Sequence, residues 1–162
     1  MKLFDLKKAL ALVALTVSGA AVAAPTTSSV LLNADAAVAL AREAMVQCRA
    51  QGYAVSAAVV DRSGNLLALA RHEMAGPHTV TSSQRKAFTA ASMGQDTGKL
   101  AEMVAEKPAL AGLRDMNDNL LLLAGGVPVV VDGVRVAGLG VGGAPGGHLD
   151  AACAEAALAG LK

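Results

Sequence analysis

The densest chemistry in the chain is Arg71-His72-Glu73-Met74-Ala75-Gly76-Pro77-His78, which holds two of the three histidines. Imidazole and thioether are common ligands of haem iron, so His72, Met74 and His78 are candidate axial ligands. Arg71, Arg85 and Lys86 could hold carboxylates, such as haem propionates, through charge-assisted hydrogen bonds. Thr79 and Thr81 add hydroxyls beside them. Solvated loop histidines and surface cations account for the same residues equally simply. A zinc or copper site would need a further ligand at defined spacing, and none is present. Ser82 and Ser83 could pair with His78, but no oriented Ser-His-Asp arrangement and no Gly-x-Ser-x-Gly elbow accompanies them. Glu73 with a histidine offers an acid-base site as the alternative.

These residues fall where an apolar strand pattern ends and a helix pattern begins, a position from which a loop can present side chains to a ligand. Upstream, Tyr53 to Asp61 and Leu66 to Arg71 flank Arg62-Ser63-Gly64-Asn65 and predict a β-hairpin. Downstream, Thr79 or Thr81 caps a helix through roughly Gly94, with Val80, Ser83, Ala87, Ala90 and Ala91 inward. Asn33 caps an earlier amphipathic helix carrying Ala37, Leu40, Ala41, Ala44 and Cys48, which Gly52 stops. Lys99 to Glu106 is helical and ends before Pro108.

Three apolar runs follow: Leu120 to Ala124, Val127 to Val131 and Val134 to Val141. Asp132-Gly133 joins the last two as a tight turn. Gly138, Gly140, Gly142 and Gly143 predict close backbone approach by a helix or a ligand. They lack the β-α-β context of a dinucleotide site. His148 and Asp150 cap a final helix or line the rim of a pocket. Helix, two strands, helices, about three strands and a helix make an α+β fold, an antiparallel sheet with helices packed on it.

Residues 1–23 have the pattern of a secretory signal peptide: Lys2, Lys7 and Lys8, an apolar run from Ala9 to Val17, and Ala21-Val22-Ala23 before the cut. Residues 24–32 form a short leader, a strand or an ordered arm, and residues 33–162 the domain. The expected localisation is periplasmic or secreted, without stable membrane insertion after cleavage. Removing three of the 14 Lys and Arg and one of the 13 Asp and Glu leaves a formal charge of −1. That charge, with only Tyr53 and Phe88 as remaining aromatics, excludes a nucleic-acid partner. Cys48 and Cys153, both in helix patterns, are either buried thiols or a disulfide.

Several separate motifs carry a family resemblance: Val59-Val60-Asp61-Arg62-Ser63-Gly64-Asn65-Leu66, Arg85-Lys86-Ala87-Phe88-Thr89-Ala90, Gly125-Gly126-Val127-Pro128-Val129, Val136 to Ala144, and Asp150-Ala151-Ala152-Cys153-Ala154. In this order they resemble the GlcG/HbpS-like family of haem-degrading or haem-binding domains, related to the PduO C-terminal domain, over nearly all of Asn33 to Lys162. The resemblance implies a profilin-like sandwich with a five-stranded antiparallel sheet flanked by helices. It also implies homo-oligomers, octamers among them, and first and last helices near enough for a Cys48–Cys153 bond. Exported members resemble haem-binding proteins, so the expected function is haem binding in sensing, storage or protection. The alternatives are a haem-degrading or small-acid enzyme, and a non-catalytic oligomeric module serving an envelope or sensor partner. Many relatives have an Arg-Met-Asp-Gly-Ala type sequence where this chain has Arg71-His72-Glu73-Met74-Ala75-Gly76. Arg71, Arg85 and Lys86 therefore carry over most directly, and Thr79 and Thr81 less so. Ligation by His72, Met74 or His78 follows from residue type alone.

Overall fold

The structure, a computed structural model, describes residues 28–161. The signal segment and the start of the leader lie outside the described residues. The elements are α1 (Ala34–Ala50), β1 (Ser56–Asp61), β2 (Leu66–Arg71), α2 (His78–Met93), α3 (Thr97–Glu106), β3 (Gly126–Val131), β4 (Val134–Gly142) and α4 (Gly147–Ala159), with a 3-10 segment over Pro108–Arg114. The strands form one antiparallel sheet in the order β2-β1-β4-β3.

The sheet has four strands, not the expected five. The missing strand is Leu120 to Ala124. Its side chains do alternate, with Leu120 and Leu122 buried against Leu100 and Val104 of α3. Its backbone, however, is taken by helix side chains: Leu120 O accepts from Arg85 Nη2, Leu121 N donates to Thr89 Oγ1, and Leu123 O accepts from Thr97 Oγ1. With those groups satisfied, no ladder to a neighbouring strand is needed.

Local signals set most boundaries. Asn33 Oδ1 accepts from Ala36 N at 2.8 Å, the expected cap of α1. Asp132 (φ 50°) and Gly133 (φ 77°) both take the left-handed conformation that a two-residue type I′ hairpin turn requires. The start of α2 differs from expectation. It begins at His78 after Pro77, with no side-chain hydrogen bond to its cap position.

Alternation along β1 and β4 divides the interior. Ala57, Val59, Leu139 and Val141 face α1 and α4, where Ala37, Leu40, Ala44, Cys153, Ala154 and Ala157 complete the main core. Ala58 and Val60 face Ala87 and Ala91 of α2 on the other side. Both faces are covered, so β1 is buried along nearly its whole length. Cys48 and Cys153 are disulfide-bonded with Cα atoms 5.3 Å apart, joining α1 to α4.

Alternate glycines of β4 bring α2 onto the sheet at backbone distance. A Cβ on Gly138 would lie 2.2 Å from Ala87 O, and one on Gly140 would lie 2.1 Å from Ser83 O. The close approach expected here is therefore by a helix. It leaves no layer for a ligand between α2 and β4 at Gly138 and Gly140.

Candidate functional site

The loop between β2 and α2 is held from its two ends. His72 N donates to Val55 O at 3.0 Å, extending the hairpin by one bond. Thr79 Oγ1 donates to Gly76 O at 2.6 Å and lies 2.7 Å from Ser56 Oγ. A hydroxyl has one proton, so Ser56 is the donor to Thr79. Thr79 is 1% exposed, so it anchors the loop to β1 and does not face a ligand. Arg71 closes the same loop by donating from Nη2 to Ala75 O.

Of the three candidate iron ligands, Met74 and His78 lie on this loop's outer surface while the His72 side chain is only 17% exposed, and none of them lines a main cavity. Met74 is 76% exposed. The ring of His78, also exposed, lies over Gly76, where a Cβ would approach His78 Cε1 to 2.7 Å. His72 Nδ1 accepts from Met74 N at 3.1 Å and lies 3.6 Å from Glu73 Oε2. These two contacts need opposite protonation of Nδ1. The hydrogen bond, in which Nδ1 accepts, is the better defined of the two. Glu73 is 83% exposed and makes no enclosed acid-base pair with it. The hydroxyls of Ser82 and Ser83 donate to Thr79 O and Val80 O in their own helix, so neither is poised as a nucleophile.

Lys86 points inward. Only 2% exposed, it donates from Nζ to Val141 O at 2.9 Å and to Asp150 Oδ2 at 2.8 Å. Asp150 Oδ1 accepts from Ala144 N at 3.0 Å. Asp150 thus neither caps α4 nor lines a rim; it fastens α4 to α2 and to the end of β4. Gly125 completes the arrangement, since a Cβ there would lie 2.9 Å from Lys86 Nζ and 2.7 Å from Asp150 Cβ. Lys86 was read as a ligand-binding cation from its residue type and from the family resemblance; the partner that claims it is 64 residues away. Asp150, one turn into a helix, looks like a cap when only its neighbours are considered.

Arg85, one residue earlier, points outward. With Thr81, Gln84 and Phe88 of α2, Val60, Gly64 and Leu66 of the hairpin, and Asp118 and Asn119 it lines a cavity of about 440 Å³. That size is within the range of small-molecule sites, about 300–1,000 Å³. Arg85 is clamped: Nη2 donates to Leu120 O at 2.6 Å, and Thr89 Oγ1 both donates to Arg85 O and accepts from Leu121 N. Its Nε is buried without a partner. Arg135 Nε shares that condition, but Arg135 lies over Gly94 at the end of α2 and lines none of the four main cavities. Phe88 packs on the hairpin turn, where a Cβ on Gly64 would lie 2.5 Å from its ring. Gln84, Phe88 and Asn119 were absent from the sequence-based site. The i, i+3 and i+4 spacing of Thr81, Gln84, Arg85 and Phe88 on one helix face is the signal that could have gathered them.

A larger groove of about 590 Å³ runs between Val30, Leu31 and Leu32 of the leader, β3 and the end of α4. Among the described residues its only charged lining residue is Asp132.

A family model described as "Haem degrading protein HbpS-like" matches residues 32–159. The chain belongs to the HbpS-like family. Among HbpS-like relatives, it is 37% identical over 114 residues to Protein GlcG of Escherichia coli K12, spanning 70% of this chain and 83% of GlcG. HbpS of Streptomyces reticuli, solved as a double mutant, is 43% identical with a TM-score of 0.80, covering 91% of this chain and 98% of that one. A solved PduOC:haem complex is 26% identical with a TM-score of 0.73, covering 80% of this chain and 94% of that one.

The motifs of HbpS-like resemblance acquire a structural meaning. Lys86 on α2, Gly125 before β3, Val141 on β4 and Asp150 on α4 meet at the buried ion pair. Gly138 and Gly140 seat α2. Those motifs build the scaffold and also supply Val60, Gly64, Leu66, Arg85 and Phe88 to the cavity beside Arg85, whereas Thr81, Gln84, Asp118 and Asn119 come from between them.

Proposed function

We propose that this chain is an exported haem-binding protein and that the cavity beside Arg85 seats the ligand. One observation carries the reading: the Arg85 guanidinium, fixed by Leu120 O, lines the same cavity as the apolar surfaces of Phe88, Leu66 and Val60. An amphipathic ring with carboxylates at one edge meets both. The donor set fits, with Arg85 and Thr81 to hold a propionate and Phe88 to face the ring. His78, one helical turn before Thr81, is the proposed axial ligand, with His72 and Met74 on the adjoining loop and Arg71 positioning that loop. Lys86 is assigned to Asp150 and not to a propionate. When bound, haem supplies an iron centre for redox or ligand chemistry.

The family description and the PduOC relative solved with haem support this ligand class. The signal pattern of residues 1–23 and the Cys48–Cys153 bond support export. Haem storage, sensing or protection is the role proposed for it. Assembly as a homo-oligomer belongs to the same proposal, because the edge strands β2 and β3 expose Leu66, Leu69 and Val130.

Titration with haemin, followed by absorption, tests the reading. A saturable Soret band is expected for the wild type, weakened in Arg85→Gln. A Soret band unchanged in both His72→Ala and His78→Ala would remove the ligation assignment. A protein that never perturbs the haemin spectrum would overturn haem binding itself.

A further inference from the structure

Resting on that reading of the cavity, we infer that it selects its ligand by a carboxylate and a flat apolar face, the metal being secondary. The class it takes is therefore carboxylated tetrapyrroles with or without iron. Three observations carry this.

Among the described residues, the lining contains no imidazole, thioether, thiolate or phenol. His78, exposed on α2 outside the lining, would ligate in competition with water, which limits what such a bond adds to affinity.

Among the described residues Arg85 is the lone cation of the lining, and it is held before any ligand arrives. Its Nη2 bond to Leu120 O and the Thr89 bridge to Leu121 tie its helix to the opposite wall. Pre-organised guanidinium loses little freedom on meeting a carboxylate, so that contact is worth more than one to a mobile surface cation.

The lining's other charged group is Asp118, exposed and making no ion pair among the described residues. It opposes an anionic ligand that Arg85 attracts. Discrimination by charge should therefore respond in opposite directions to the two residues, which no purely structural role predicts.

The test titrates the protein with metal-free protoporphyrin IX (by fluorescence), its dimethyl ester, and haemin. We expect protoporphyrin and haemin to bind within about threefold of each other, and the ester at least about tenfold more weakly. Arg85→Gln should abolish the difference between acid and ester, and Asp118→Asn should tighten the acid while leaving the ester unchanged. The acid–ester comparison uses the wild-type chain and does not depend on a variant folding. Equal binding of acid and ester overturns the inference. So does haemin binding about a hundredfold tighter than protoporphyrin, an outcome that leaves the haem reading intact. Failure of every tetrapyrrole to bind overturns both.

Discussion

Lys86 Nζ lies 2.8 Å from Asp150 Oδ2 with both side chains almost wholly buried, so two helices on opposite faces of the sheet are joined by a charge pair. The pair passes the end of β4, where Val141 O and Ala144 N satisfy one further bond on each partner. Desolvating two charges is costly, and such a pair is tolerable only when its remaining hydrogen-bonding groups are met.

Removing one partner should therefore be far worse than removing both. Lys86→Met leaves a buried carboxylate and should cost about 3–5 kcal/mol in urea unfolding. The double variant Lys86→Met with Asp150→Asn, which keeps an acceptor for Ala144 N, should recover part of that loss. Strictly additive effects would show that the two groups do not interact.

Packing of α2 onto β4 makes a second prediction. A methyl on Gly140 would meet Ser83 O at 2.1 Å and Ala87 N at 2.4 Å, backbone atoms that cannot swing aside. Gly140→Ala should destabilise by about 1–3 kcal/mol or more through overpacking. Gly112→Ala, with nothing within 4 Å of the added carbon, should stay within about 0.5 kcal/mol. Denaturant midpoints of the two variants decide it.

The Cys48–Cys153 bond closes a sequence separation of 105. Chain entropy for so long a loop predicts stabilisation of about 4–5 kcal/mol, although measured values for disulfides are commonly about 2–4. The double alanine variant and the reduced wild-type protein should both lose stability of this order. Unchanged unfolding under reductant, with free thiols counted in the unfolded protein, would show that the bond contributes little.

Asp61 gives the hairpin a pH dependence. Desolvation pushes its carboxyl up. The hydrogen bonds from the Asn65 side chain and from the backbone of Asn65, Ser63 and Gly64 outweigh it and hold the group below its ordinary 3.8. A folded value below the unfolded one stabilises above pH 3.8 and is lost as pH falls through the folded value. Asp61→Ala should thus lower the melting temperature at pH 7, and the difference from wild type should shrink in acid below pH 3.8. A difference independent of pH would assign the effect to the lost acceptor alone.

Much of the architecture was legible because it is written in local chemistry. Asn33, Gly52 and Asp132-Gly133 each act on residues near them in the chain, through caps and turns, and the alternating glycines of β4 signal steric room even though its occupant, α2, is distant in sequence. The five-strand expectation failed at Leu120 to Ala124 for a non-local reason. Apolar alternation there is real, but Arg85, Thr89 and Thr97 supply the hydrogen bonds that a strand partner would have supplied.

The candidate site divides along the same line. By residue type and spacing alone, the sequence determined a helix dense in hydroxyls and cations behind a loop of imidazole and thioether, and the resemblance of its motifs pointed to the family. Only the tertiary structure decided the direction of each charge. Consecutive helix positions point about 100° apart, so Arg85 lines an open cavity while Lys86 enters the core to meet Asp150. Thr79 likewise turns to Ser56 while Thr81 faces the cavity. Composition counts such neighbours as alike; the helix's placement against the sheet makes one a binding group and the other a structural one.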